Sequence, residues 1–172
     1  VRGGGYAVIA AAVVVFLGGT VVGFRLLTSH ADVTSSLPTC ETRTVEPGED
    51  LTSNLVSVDV YNASRTAGLA NRVSRLLQRQ NFLPGTVSNN TTDITTDDIV
   101  IVTDEPDDPR VKLVAAQFKG SVKIEAGSIA GSDGVAVLVG RNYADQKLKK
   151  GAPTKVKSDR TITACVPIAP VA

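Results

Sequence analysis

Apolar positions follow two regimes along the chain. From Gly3 to Phe24 the run GGGYAVIAAAVVVFLGGTVVGF carries no charge, whereas from Leu55 to Gly140 short apolar runs alternate with polar turns. The 22 residues of the first run would span about 33 Å as a helix, enough for a hydrocarbon core of about 30 Å. A helix also keeps its backbone hydrogen bonds internal, as lipid demands. Tyr6 suits an interfacial position, and Gly19 and Gly23 have the spacing of a small-residue packing face. Ser29-His30-Ala31 offers an alternative, a cleavage site for a signal peptide. The apolar run is longer than a signal core, and Arg25 lies between it and that site, which favours a retained anchor. Arg2 and Arg25 flank the run on either side, so charge does not orient it.

The second regime predicts a folded domain. Leu55 to Tyr61 alternates in its second half and reads as a strand. A turn over 62–66 follows, with Ser64 or Thr66 as a helix cap. In the next segment Leu69, Val73, Leu76, Leu77 and Gln80 share one helical face, and Arg72, Arg75 and Arg79 share the other. Asn81 ends that helix. Phe82–Val87 and Asp98–Val102 read as strands, and Asp108-Pro109 as a helix start. Val111, Val114, Ala115 and Phe118 form its buried stripe, and Gly120 stops it. Val122–Glu125 and Val135–Gly140 read as the last strands. The order β-α-β-β-α-β-β predicts a small α+β sandwich of ferredoxin-like character, with both helices on one face of a sheet.

The organisation expected is a short cytoplasmic N-terminus (1–5), a transmembrane helix (6–27) and an extracytoplasmic tether (28–53). The domain (54–143) and a basic C-terminal tail (144–172) complete the chain. Cys40 and Cys165 bracket the domain, an even count that reads as one disulfide tying the tail back, in an oxidising compartment. Two cysteines and the distant His30 cannot complete a zinc site, so no metal and no cofactor is expected.

The run Val58-Asp59-Val60-Tyr61-Asn62-Ala63-Ser64-Arg65-Thr66-Ala67-Gly68-Leu69-Ala70 resembles the opening of the LytR C-terminal domain family, V-x-V-x-N-[GA]-[ST]-x-x-x-G-L-A. Asn81-Phe82 stands where the family usually has Gly-Phe, and the third strand, second helix and closing strand continue the likeness over about 54–143. The resemblance implies a cell-envelope protein of a Gram-positive, actinobacterial cell. It implies a stand-alone form of a domain otherwise appended to enzymes that attach polymers to peptidoglycan, and no catalytic residue carries over. The motif residues Asn62, Ser64 and Gly68 read as structural: Asn62 builds the turn and Gly68 lets the helix start approach the sheet.

Enzymatic inventories fail in the sequence. The lone His30 lies in the tether and cannot serve a triad, and no phosphate-cradling or dinucleotide motif is present. The carboxylates over 93–108 (Asp93, Asp97, Asp98, Asp104, Glu105, Asp107 and Asp108) are the remaining option for glycosidic chemistry or a weak cation site. They read better as a solvated rim, a turn and a helix cap. A net charge of +1 argues against nucleic acid as partner. Charge is nevertheless segregated. Arg65, Arg72, Arg75 and Arg79 make a stripe, and residues 141–160 hold seven Lys/Arg against two acids. These cations are the candidate surface for peptidoglycan or other anionic wall polymers. A partner role toward envelope enzymes is the alternative.

Overall fold

A computed structural model describes residues 40–168. The apolar segment read as a membrane anchor lies outside the described residues, and among those described no helix is long and apolar enough to cross a membrane. The chain order is β1 (Cys40–Val45), β2 (Asp50–Thr52), β3 (Ser57–Asn62), α1 (Leu69–Gln78), β4 (Leu83–Asn89), β5 (Ile99–Val102), α2 (Pro109–Ala115), β6 (Val122–Glu125), β7 (Val135–Val139), β8 (Lys155–Lys157) and β9 (Ile162–Pro167). Between β3 and β7 this is the predicted β-α-β-β-α-β-β.

Five strands form one mixed sheet in the order β4-β3-β7-β5-β6. β3 pairs in parallel with β4 and with β7, β5 pairs in parallel with β6, and β5 and β7 are antiparallel. This corrects the ferredoxin-like expectation. In that topology each β-α-β unit is split by a foreign strand. Here β3-α1-β4 and β5-α2-β6 are each unsplit, and β7 enters between the two units to join them.

Both helices cover one face, as expected. Val58 and Val60 of β3, Ile99 and Ile101 of β5, and Val137 and Val139 of β7 pack there against Leu69, Val73 and Leu77 of α1 and Val111 and Val114 of α2. The other face holds Tyr61, Val100, Val102, Ala136 and Leu138, covered by Ile129 and Ile94 from loops. Covering on both faces explains why β5 and β7 are continuous apolar runs with every residue buried.

Two segments differ from the sequence expectation. The region read as tether contains β1 and β2, and the basic tail contains β8 and β9. β1 pairs antiparallel with β9 and β2 with β8, so these ends close on each other. Leu51 and Ile162 are buried in the helix-side core, and a buried residue of this size contributes about 2–3 kcal/mol. Cys40 and Cys165 form the expected disulfide across the β1–β9 ribbon, with Cα atoms 5.4 Å apart.

Candidate functional site: two charged concavities

Asn62 ends β3 and builds the turn after it. Its Oδ1 accepts from the Ser64 N–H (3.0 Å) and hydroxyl (2.8 Å), its Nδ2 donates to the Thr66 carbonyl (2.9 Å), and Ser64 Oγ accepts from the Thr66 N–H (3.0 Å). Asn90, just beyond the adjacent parallel β4, repeats this with Thr92 and the Ile94 carbonyl. The Asn62 and Ser64 side chains thereby find their partners within the turn. Ser64 and Thr66 do not cap α1, because no side chain bonds its first turn. Gly68 also differs from expectation. A Cβ there would meet nothing, but its φ of 72° is left-handed, so backbone conformation and not close approach requires glycine. Asn81, at φ 65°, fills the left-handed position closing α1, a place glycine usually takes.

The sequence reading missed Asp59. It is buried on the loop-covered face of β3, where an alternating V-D-V pattern suggests solvent. A register shift between β3 and β4 leaves an extra residue on β4, and the Thr86 N–H there donates to Asp59 Oδ1 (2.5 Å). Asp59 Oδ2 accepts from the Ser132 hydroxyl (2.5 Å) and the Gly134 N–H (3.0 Å). A Cβ at Gly85 would collide with this carboxylate and lie 2.8 Å from the Val58 carbonyl oxygen. Asp59 thus pins a bulge and a loop to one strand. Its neighbour Tyr61 is buried with its hydroxyl unbonded. Burial pushes that phenol up; the nearby Ser132 hydroxyl, bonded to Asp59, offsets part of the effect, and the Asp59 and Asp133 charges add to the rise.

One concavity, of about 660 Å³, opens at the end of the sheet where β3 and β7 begin and β5 ends. Asp104, Glu105 and Asp108 line it, with Arg110 from α2 and Thr163–Cys165 from β9. Asp108 caps α2, accepting from the Arg110 N–H at 2.7 Å, and forms an ion pair with that guanidinium at 2.6 Å. Burial alone would raise the Asp108 carboxyl, but the side-chain and backbone hydrogen bonds from Arg110 prevail and hold it below the usual range. Glu105 pairs with Arg160 (2.8 Å) and Asp107 with Lys112 (3.4 Å). Asp97 pairs with Arg141 (2.9 Å), and Asp98 accepts from Asn142 (3.0 Å). Asp93 and Asp104 are exposed. A glycosidic general acid must hold its proton near neutral pH. Asp108, the buried carboxyl of this cavity, is poised the opposite way. Among the described residues no cluster of acids, His or Cys has the makings of a metal site.

The second concavity runs along α1. Arg72, Arg75 and Arg79 line a hollow of about 300 Å³ with Gly68 and Leu76. Leu76 and Arg79 continue into a neighbouring hollow of about 580 Å³ with Lys119, Lys147, Lys149 and Lys150. Among the described residues no acid lines either hollow, although Asp145 stands exposed on the same 144–151 segment. Among the described residues, none of these seven cations belongs to an ion pair. The structure therefore divides the basic sequence segments. Lys155 and Lys157 are spent on Asp50, Arg141 on Asp97 and Arg160 on Glu105 and Asp159. Arg65 stays exposed in the Asn62 turn and does not line the hollows. Lys119, past the end of α2, is the cation that the sequence reading did not include.

The 144–151 wall is fixed in place. The Arg72 guanidinium donates to the Ala144 carbonyl, the Lys149 N–H to the Gln117 carbonyl at 2.7 Å, and Tyr143 Oη to the Lys147 carbonyl at 3.2 Å. Leu148 packs on the core. Burial raises the Tyr143 phenol, so it stays protonated as a donor.

Comparison with known proteins finds one solved structure of note, the soluble domain of a conserved hypothetical secreted protein from Mycobacterium marinum. It is 20% identical and similar over 62% of this chain and 70% of that one, with a TM-score of 0.45. No curated protein matches. The model of the LytR C-terminal family, described as LytR cell envelope-related transcriptional attenuator, matches residues 55–143, which begin just before β3 and end just after β7. That match spans more than half of the chain, and the protein belongs to this family.

Proposed function

We propose that this domain is a non-enzymatic cell-envelope integrity factor: an extracytoplasmic binding module that holds an anionic component of the wall. The observation that carries the reading is the pair of adjoining basic hollows joined at Leu76 and Arg79, with seven cations and, among the described residues, no acid in the lining and no ion pair to them. Surface cations normally sit among carboxylates. A cluster without any is destabilising to the fold unless an external anion completes it. Family membership fits an envelope setting. The apolar run Gly3–Phe24 would anchor the chain in the cytoplasmic membrane as a single pass, with the domain on the wall side, where the Cys40–Cys165 disulfide would persist. In this arrangement the chain would resemble the actinobacterial envelope-integrity protein Cei. A role as docking partner of a wall-polymer-attaching enzyme has less support. Val87, Ile124 and Ile168 are the large apolar residues exposed among those described. They lie on separate elements and make no patch.

The test is co-sedimentation of the full chain, held in zwitterionic nanodiscs, with insoluble cell-wall sacculi. Pelleting at low salt, lost at high salt and lost in an Arg72/Arg75/Arg79→Ala variant, is the expected result. A protein that stays in the supernatant at every salt concentration would end the wall-binding reading.

A further inference from the structure

We infer that the groove takes a linear phosphodiester polyanion, laid between its two walls. A planar anionic membrane does not suit it. This deepens the wall-binding reading and rests on it.

The shape argues first. Arg72, Arg75 and Arg79 line one hollow along α1, and Arg79 also lines the adjoining hollow with Lys119, Lys147, Lys149 and Lys150, so cations from α1 and from the 144–151 segment line two sides of a trough that meet at Arg79. A bilayer presents its headgroups in a plane and cannot reach both walls. Membrane-docking surfaces also project apolar side chains toward lipid. Here the apolar residues of the groove, Leu76 and Leu148, are half-buried at its floor.

Charge spacing argues second. Arginines three and four residues apart stand about 4.5 and 6 Å apart along the helix axis, and Arg72 to Arg79 covers about 10 Å. One phosphate saturates one or two guanidinium forks. A single anion would therefore leave most of the cations still facing each other. A chain with a permanent charge at every repeat can occupy successive forks. Peptide carboxylates, carried at the ends of branches, do not form such a row. The stems of Leu76 and Leu148 give the backbone between phosphates an apolar surface to lie on.

The groove is also prepared before any ligand arrives. The Lys147 and Lys149 backbone groups are tied to Tyr143 and Gln117, and the Arg72 bond to the Ala144 carbonyl joins the two walls. Binding then costs mainly side-chain ordering, and release of counterions from the polymer drives it.

The experiment uses the full chain in zwitterionic nanodiscs and fluorescent glycerol-phosphate oligomers of one, two, four and eight units, followed by anisotropy. Affinity should climb at least about tenfold from one unit to four. The log–log salt slope at four units should be about −3, as expected when a flexible polyanion engages four cations. Arg75→Glu with Arg79→Glu should lower tetramer affinity about tenfold or more. Lys123→Glu, on β6 outside the groove, makes half that change in net charge and should alter tetramer affinity little. A monomer that binds as tightly as the tetramer overturns the proposal in favour of a discrete phosphate site. Flotation with phosphatidylglycerol vesicles that matches or exceeds oligomer binding overturns it in favour of a membrane. Sacculi stripped of phosphodiester polymers by hydrofluoric acid separate the two levels of argument. Equal pelleting with stripped and intact sacculi removes the phosphodiester but keeps wall binding. No pelleting with either removes both.

Discussion

At the end of the sheet Asp108 lies against Arg110 and Glu105 against Arg160. Along α1, Arg72, Arg75 and Arg79 line a hollow that continues past Arg79 to Lys147, Lys149 and Lys150, and among the described residues no acid lines it. Both concavities are charged, and both have walls fixed by the same core. They differ in whether the protein neutralises its own ions. In the first, each buried charge has a partner, and the ions hold a helix start and a strand end in place. In the second, the ions stay open to solvent and their mutual repulsion opposes folding. Under the binding proposal, the difference separates charge used to build the fold from charge kept for something outside it. Substitutions in the paired region should therefore be read in stability, and those in the groove in binding.

The largest expected effect comes from the disulfide, since Cys165 walls the paired cavity. Closing a loop with a sequence separation of 125 constrains the unfolded chain by about 4–5 kcal/mol in the chain-entropy model. A Cys40→Ser/Cys165→Ser variant should lose a large part of that in urea denaturation, while each folded molecule keeps its oligomer affinity. Reduced affinity per folded molecule would mean that the two regions are mechanically linked and the comparison does not hold.

Next is Asp59→Ala, which strands the Thr86 and Gly134 N–H groups and the Ser132 hydroxyl. Leaving donors unpaired at a buried position costs about 1–3 kcal/mol each where water cannot replace the acceptor. A total loss of about 3 kcal/mol by denaturant titration is expected, with oligomer binding intact. A loss below about 1 kcal/mol would show that water takes over the acceptor role.

These two cases also show where the sequence could be read and where it could not. The five strands and two helices between Ser57 and Val139 were legible because each is either a buried run or an amphipathic stripe. The ribbons β1–β9 and β2–β8 were not. β1 is almost wholly exposed, β2 and β8 have three residues each, and their partners lie more than a hundred residues away. The arginine stripe was visible from helical spacing. Its continuation through Lys119 and Lys147–Lys150 depends on α2 and the 144–151 segment meeting α1, which no local pattern encodes. Asp59 was hidden for a related reason, since one-residue alternation does not reveal that loops cover the second face.

Asp108→Ala should cost about 2 kcal/mol, from a lost helix cap and a lost partner for Arg110. Its pH dependence is defined by the direction of its shift. The carboxyl is held below its ordinary value in the folded state. Its contribution is therefore present above the unfolded value of about 3.9 and is lost as pH falls through the lower folded value. Stability measured by urea melts from neutral pH downward should fall across that acid window in the wild type. In the variant the decline should be shallower. Equal declines would place the acid sensitivity elsewhere.

The smallest effect has the opposite sign. Arg75 is three residues from Arg72 and four from Arg79, on an exposed helix face. Like charges at these spacings each cost about 0.2–0.5 kcal/mol, and opposite charges return a similar amount. Arg75→Glu converts both repulsions into attractions, and at 75 and 79 it places Glu N-terminal to Arg, the better orientation. The two pairs together return about 0.8–2 kcal/mol, and an acid in the last turn of α1 opposes the helix dipole by about 0.3–1 kcal/mol, so the variant should gain about 0.5–1 kcal/mol in denaturant titration at low salt, while losing polymer affinity. A gain that fades with added salt would identify the repulsion as its source. A loss of stability would mean that Arg75 has an intramolecular partner in solution, and the groove would then belong with the paired cavity. Stability rising while binding falls is the behaviour of a residue retained for a ligand against the interest of the fold.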